Sequence, residues 1–195
     1  TVTKATIEAL VDISIELKKH SDIELVVSCI TGIKQKDTYC YNNNILERTK
    51  VLCQKTGGNV ILFDDLRPRG EWLFPLKWKK GCIKATNILY SKIENSDNDY
   101  TILLAYDIVY GCLPYMLSKK LKSEKYIPIW TPQSTALNQN RKEKNRLDFE
   151  FDVIQKSIQN NILIGVASPY AYNHLNIDYK IPEEFLIKNY VGIVT

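Results

Sequence analysis

Short apolar runs alternate with amphipathic or polar stretches along almost the whole chain, and this alternation restricts the fold more than any other feature. Residues 24–30, 59–63, 100–105, 126–130, 162–167 and 190–194 read as strands. Most are continuous runs of Val, Ile and Leu rather than in–out alternations, as expected of strands buried on both faces. Between them lie helical stretches. Val2, Ala5, Ala9, Ile13 and Leu17 recur at helical spacing, with Lys18 and Lys19 in the last turn, where the helix dipole favours cations. Residues 42–54, 83–93, 111–122, 146–160 and 170–176 are also read as helices, and Gly57-Gly58 stops the first of these. Residues 66–81, rich in Arg, Pro, Gly and Trp, read as a loop. The pattern predicts an α/β fold: a Rossmann-like three-layer domain with a mostly parallel sheet and helices on both faces.

At 195 residues the chain is long enough for one well-buried core. An apolar fraction of 45% and a charged fraction of 25% exclude disordered and fibrous classes. No apolar run approaches the roughly 20 residues that span a bilayer, and no basic-then-apolar leader opens the chain. The 5 cysteines are odd in number and widely spaced without a C-x-x-C pair, which speaks against a disulfide framework or a metal knuckle. Cys29 and Cys112 sit in apolar context and read as small core residues in a reducing compartment. The cytoplasm is the expected location. A net charge of +4 permits an anionic ligand or a membrane surface without demanding nucleic acid.

A doubly wound sheet normally begins with a strand, but here a helix comes first. The expectation is therefore a Rossmann-like domain over residues 1–182 that lacks its first strand. Residues 183–195 would form a linker and the start of a truncated second domain.

In open α/β sheets ligands bind beyond the carboxyl ends of the strands, and several candidates fall there. Tyr106-Asp107 follows the clearest strand, where the carboxylate could accept a sugar hydroxyl or act as a base; the plainer reading is a helix N-cap. Thr131, Gln133 and Ser134, in Trp130-Thr-Pro-Gln-Ser-Thr135, offer hydroxyls and an amide suited to a polyol, or simply a Pro-containing turn. Arg146 and Glu150 share one helix face; the commoner case is a weak surface ion pair, the alternative a grip on an acceptor hydroxyl or phosphate. Ser168 and His174 follow a later strand, with His174 a minor candidate because a lone histidine is more often structural. His20 reads as a helix-end cap. No G-x-G-x-x-G, P-loop, G-x-S-x-G or H-E-x-x-H pattern occurs. Finally, Trp72, Phe74 and Trp78 interleave with Lys77, Lys79 and Lys80. That mixture suits peripheral contact with a membrane, although the residues favour a loop folded on the domain with its lysines in water.

In this order the elements resemble the N-terminal domain of family 4 type GT-B glycosyltransferases. The segments that carry the likeness are the helix of residues 1–19, the strand of 25–30, and the strand ending at Tyr106-Asp107. They continue with Ile127-Pro-Ile-Trp-Thr-Pro-Gln-Ser-Thr, the helix bearing Arg146 and Glu150, and Val166-Ala-Ser. His174-Leu-Asn-Ile-Asp-Tyr179 and Val191-Gly-Ile-Val-Thr195 complete it. Two features depart from the family: Gln133 stands where many members have His, which points to binding rather than acid–base work, and the Gly-Gly loop is missing. The resemblance implies transfer of a sugar from a nucleotide-sugar to an acceptor hydroxyl. This part would hold a sugar or glycolipid acceptor, with Asp107 catalytic, no cofactor or metal of its own and no nucleic acid. The nucleotide-sugar would bind a second domain. Two alternatives remain: a Rossmann-like enzyme acting on a nucleotide or small metabolite, and a non-enzymatic binding domain.

Overall fold

The computed structural model describes residues 2–34, 43–65, 75–121, 124–133, 135–138 and 143–188. They fall into two compact units, Thr1–Arg69 and Gly70–Thr195.

The first unit comprises α1 (Val2–His20), β1 (Cys29–Lys34), α2 (Asn43–Gln54) and β2 (Val60–Asp65). β1 and β2 pair in parallel from Cys29↔Val60 to Lys34↔Asp65. α1 buries Ile7 and Val11 in a cluster with Val27 and Cys53, ringed by Leu10, Leu25, Leu52 and Val60. β1 starts later than its apolar run predicts because distant side chains claim the backbone of the first half. The Ser14 hydroxyl donates to the Leu25 carbonyl at 2.6 Å, and Thr56 Oγ1 accepts the Val27 N–H at 2.9 Å. The ladder begins only at Cys29, whose N–H reaches the Asn59 carbonyl at 2.9 Å. β2 extends past the apolar run read from the sequence, through Asp64 and Asp65.

The second unit comprises α3 (Pro75–Glu94), β3 (Thr101–Tyr106), a 3-10 turn (Ile108–Tyr110), α4 (Cys112–Leu121), β4 (Tyr126–Thr131) and α5 (Lys144–Gln159). It continues with β5 (Leu163–Val166), α6 (Pro169–Ile177), a second 3-10 turn (Glu183–Phe185) and β6 (Leu186–Lys188). Its sheet is parallel throughout, in the order β3-β4-β5-β6. The α/β class, with parallel strands joined by helices in the Rossmann-like manner, holds.

Ala105, Tyr126, Pro128, Trp130, Ile164 and Val166 alternate along their strands and are all buried, which gives the sheet its main packing face. α3, α4 and α5 pack on one another, and α4 and α5 pack on the strands. Trp130 is 0% exposed. Gly111 admits its ring, since a Cβ there would meet Trp130 Cζ2 at 2.9 Å and Val153 Cγ1 at 2.8 Å. Pro128 is tolerated inside β4 because β5 pairs only with Ile129 and Trp130.

Two expectations need correcting. Residues 75–81 are not loop: α3 starts at Pro75, a residue suited to the first helical turn. Pro75, Trp78, Cys82, Ala85, Thr86 and Leu89 form its buried face, a spacing hidden in the sequence by the interleaved lysines. Leu186–Lys188, expected in a linker, is the edge strand β6, paired in parallel with β5. Residues 66–74 and the strand expected over 190–194 lie outside the described residues.

Candidate functional site

The carboxyl ends of β3, β4 and β5 bring the sequence candidates to one edge of the sheet. Asp107, directly after β3, has φ 66° and ψ 166°, a region that only glycine enters freely, at a cost of about 1–3 kcal/mol for other residues. Hydrogen bonds to β4 and to the turn that follows hold it there. Its N–H donates to the Thr131 carbonyl at 2.9 Å, and its carbonyl accepts the Trp130 indole N–H at 3.0 Å. Its Oδ1 accepts the Ile108 N–H at 2.7 Å. The capping role read from the sequence is therefore real, and it coincides with strained backbone at a strand's carboxyl end. Tyr106, its neighbour in sequence, and Gln133, two residues beyond β4, are half-buried, and Thr131 is buried. Ser134 lies outside the described residues.

Arg146 and Glu150 are not a surface pair. They are 1% and 0% exposed, with Arg146 Nε 2.9 Å from Glu150 Oε1. The Arg146 guanidinium also lies over the Trp78 ring, 5.6 Å from its centre. Arg146, Glu150, Val153, Ile154 and Ser157 form the buried face of α5, so the pair belongs to the stripe that packs inward. A buried ion pair recovers its desolvation cost only when its remaining hydrogen-bonding positions are filled. Here the Glu150 carboxylate accepts the Ala136 N–H, 3.0 and 2.9 Å from its two oxygens, and the Tyr179 hydroxyl donates to Oε2. The Tyr179 oxygen in turn accepts the Leu137 N–H at 3.3 Å. Burial, reinforced by the adjacent Glu150 carboxylate, pushes the Tyr179 phenol well up.

His174 is 9% exposed. Its Nδ1 is 2.6 Å from Asp178 Oδ2 and its Nε2 is 2.7 Å from Thr135 Oγ1. The two ring nitrogens are thus tied to a carboxylate on one side and a hydroxyl on the other. The Tyr170 ring stacks parallel to the imidazole at 6.2 Å, and Tyr179 meets it edge-on at 5.3 Å. A hydroxyl, an imidazole and a carboxylate in this order have the connectivity of a nucleophilic triad. Two facts make it a clamp instead. Thr135 is only 4% exposed and already accepts the Asn138 N–H at 3.4 Å, and the next N–H, of Ala136, is taken by Glu150. Among the described residues, the N–H groups of Ala136, Leu137 and Asn138 are all committed, so none is left beside the hydroxyl as an oxyanion donor.

Ser168 caps α6, its Oγ accepting the Ala171 N–H at 3.1 Å. The residues that sequence reasoning missed are thus Thr135, Tyr179 and Asp178, which together with Glu150 and His174 lock residues 135–138 to α5 and α6. Lys77, Trp78, Lys79 and Lys80 belong to α3, and Trp78 is 1% exposed. Trp78 cannot serve as the surface aromatic expected of it; Trp72 and Phe74 lie outside the described residues. Among the described residues no group of three or more His, Cys, Asp or Glu is placed to hold a metal ion, and no helix is long and apolar enough to cross a membrane. Compared with known proteins, the sequence matches no protein-family model and no curated protein.

Proposed function

We propose that the chain is the acceptor-side part of a GT-B type glycosyltransferase, gripping a sugar or glycolipid hydroxyl while a second domain supplies the nucleotide-sugar. The observation that carries the reading is Asp107: a carboxylate at the carboxyl end of a parallel strand, held in backbone that costs energy to maintain, in the region where such sheets bind ligands. The resemblance in element order adds the reaction class. In this reading Asp107 accepts the acceptor hydroxyl proton, and Tyr106 and Gln133 hydrogen-bond the neighbouring hydroxyls. The Glu150–Tyr179–Ala136 and Thr135–His174–Asp178 networks act from behind, fixing the loop that follows Gln133. Preorganisation of that kind lowers the ordering cost of binding a flexible polyol.

The test is ligand-observed NMR of the chain against a panel of mono- and disaccharides, in the absence of any nucleotide-sugar. Saturation transfer to a saccharide, lost in Asp107→Ala and Gln133→Ala variants that keep their fold, supports the reading. Tight binding of a nucleotide by the chain alone would favour a nucleotide-dependent enzyme instead. Turnover of a nucleotide-sugar by these 195 residues would sink the division into acceptor and donor parts.

A further inference from the structure

The outer face of α3 carries a pattern that the packing of the second unit does not use. Leu76 is 76% exposed and Ile83 45% exposed. Seven residues apart, they lie within about 20° of each other around a helix of 3.6 residues per turn. Lys80 falls between them and Lys77 and Lys84 flank them, all exposed. The helix holds five lysines, and its one acidic residue, Glu94, stands at the far end. Lys77, Lys79 and Lys80 form no ion pair among the described residues.

Two isolated aliphatic side chains on a helix surface are ordinary. Here they share a face with a row of cations, while the neighbouring Trp78 points into the core. A phosphate-rich nucleic acid would use the lysines but leaves Leu76 and Ile83 in water, and it gains from arginine forks, of which α3 has none. An anionic bilayer uses both halves of the pattern: the lysines meet the headgroups and the aliphatic tips enter the boundary below them. We infer that the first half of α3 docks the chain peripherally on anionic lipid, with Leu76 and Ile83 as the inserted residues and Lys77, Lys80 and Lys84 as the electrostatic contacts. This inference does not depend on the transferase reading, and its readout requires no turnover.

The experiment is co-sedimentation with vesicles of phosphatidylcholine alone or mixed with phosphatidylglycerol, at low salt and at about 0.5 M salt, where screening is short-ranged. Binding to the mixed vesicles alone, lost in high salt, is expected. Lys77→Glu/Lys80→Glu and Leu76→Ser/Ile83→Ser variants should each weaken it at least about tenfold. All these positions are exposed, and circular dichroism checks that the fold is kept. Absent binding, equal binding to neutral vesicles, or binding unchanged in either pair overturns the inference. So does binding of duplex DNA through the lysines with no requirement for Leu76 and Ile83.

Discussion

The N–H of Ala136 lies 3.0 Å from one oxygen of Glu150 and 2.9 Å from the other, so a fully buried carboxylate fixes the turn that follows β4. The same carboxylate carries the charge that balances Arg146. Glu150→Gln leaves the guanidinium buried without its counter-ion and is expected to cost about 3–5 kcal/mol, the range for breaking one side of a buried pair. Tyr179→Phe removes two hydrogen bonds from the network, to Glu150 and from the Leu137 N–H, and should cost about 1–3 kcal/mol. Urea midpoints at constant m-value measure both. A loss below about 1 kcal/mol for Glu150→Gln would mean that the pair is hydrated in solution.

Buried phenols make stability fall in alkali. Tyr179 is pushed up by burial and then by Glu150, and Tyr126 by burial alone. In the unfolded chain tyrosines ionise near pH 10. The folded values lie above the unfolded one, so the stabilisation is complete below about pH 10 and is lost as pH rises through the folded values. Tyrosinate absorbance and circular dichroism, followed together from neutral to strongly alkaline pH, should show part of the ionisation coinciding with unfolding. In Tyr179→Phe the coincident fraction should shrink.

The clamp between α6 and residues 135–138 is expected to be cooperative. Thr135→Val strands the imidazole nitrogen bonded to its hydroxyl, and His174→Ala strands the hydroxyl; each should cost about 1–3 kcal/mol. Combined, they should cost less than the sum, with a coupling of about 0.5–3 kcal/mol. Strict additivity in a double-mutant cycle would show that the two groups do not act on each other.

How much of this was legible in the sequence depends on where each signal resides. The strands β3, β4 and β5 stood out because buried parallel strands are written as unbroken apolar runs, and Tyr126–Thr131 and Leu163–Val166 follow the expected segments to within a residue or two; the three-residue β6 was too short to show such a run. The start of β1 was illegible because it is decided by the Ser14 and Thr56 side chains, each remote in sequence from the backbone group it binds. The first turns of α3 were obscured because lysines surround Trp78, which faces inward. Arg146 and Glu150 were noticed, but helical spacing alone says that two residues share a face, not whether that face meets water. Asp107 was legible as a position and a cap. Its positive φ was not, because the tertiary hydrogen bonds to Thr131 and Trp130 impose it.

Strain and capping can be separated at Asp107. Asp107→Gly removes the side-chain acceptor of the Ile108 N–H, a loss of about 0.5–2 kcal/mol, but relieves a conformation costing about 1–3 kcal/mol; thermal denaturation should show little net change or a small gain. Asp107→Ala loses the cap and keeps the strain, so it should be the less stable of the two. If alanine proves as stable as glycine, the backbone at this residue is not strained in solution.

The adjacent glycines of the first unit predict opposite sensitivities. Gly57 has φ 77°, and nothing lies within 4 Å of where its Cβ would be; Gly57→Ala therefore meets only the left-handed penalty of about 1–2 kcal/mol. Gly58 has no such conformation, but its Cβ would sit 1.9 Å from the Val27 carbonyl oxygen and 2.6 Å from its carbon. Those are backbone atoms, and the same residue's N–H is held by Thr56, so neither side can yield without parting the chain from the β1–β2 pair. Gly58→Ala should cost more than about 4 kcal/mol, a magnitude reserved for changes that the surroundings cannot absorb. Hydrogen exchange is the suitable measurement, because it reports the amides of β1 and β2 separately from those of β3 and β4. Protection in the first pair should collapse in Gly58→Ala and survive in Gly57→Ala. Equal protection in the two variants would show that the close approach of Gly58 to Val27 is absent in solution.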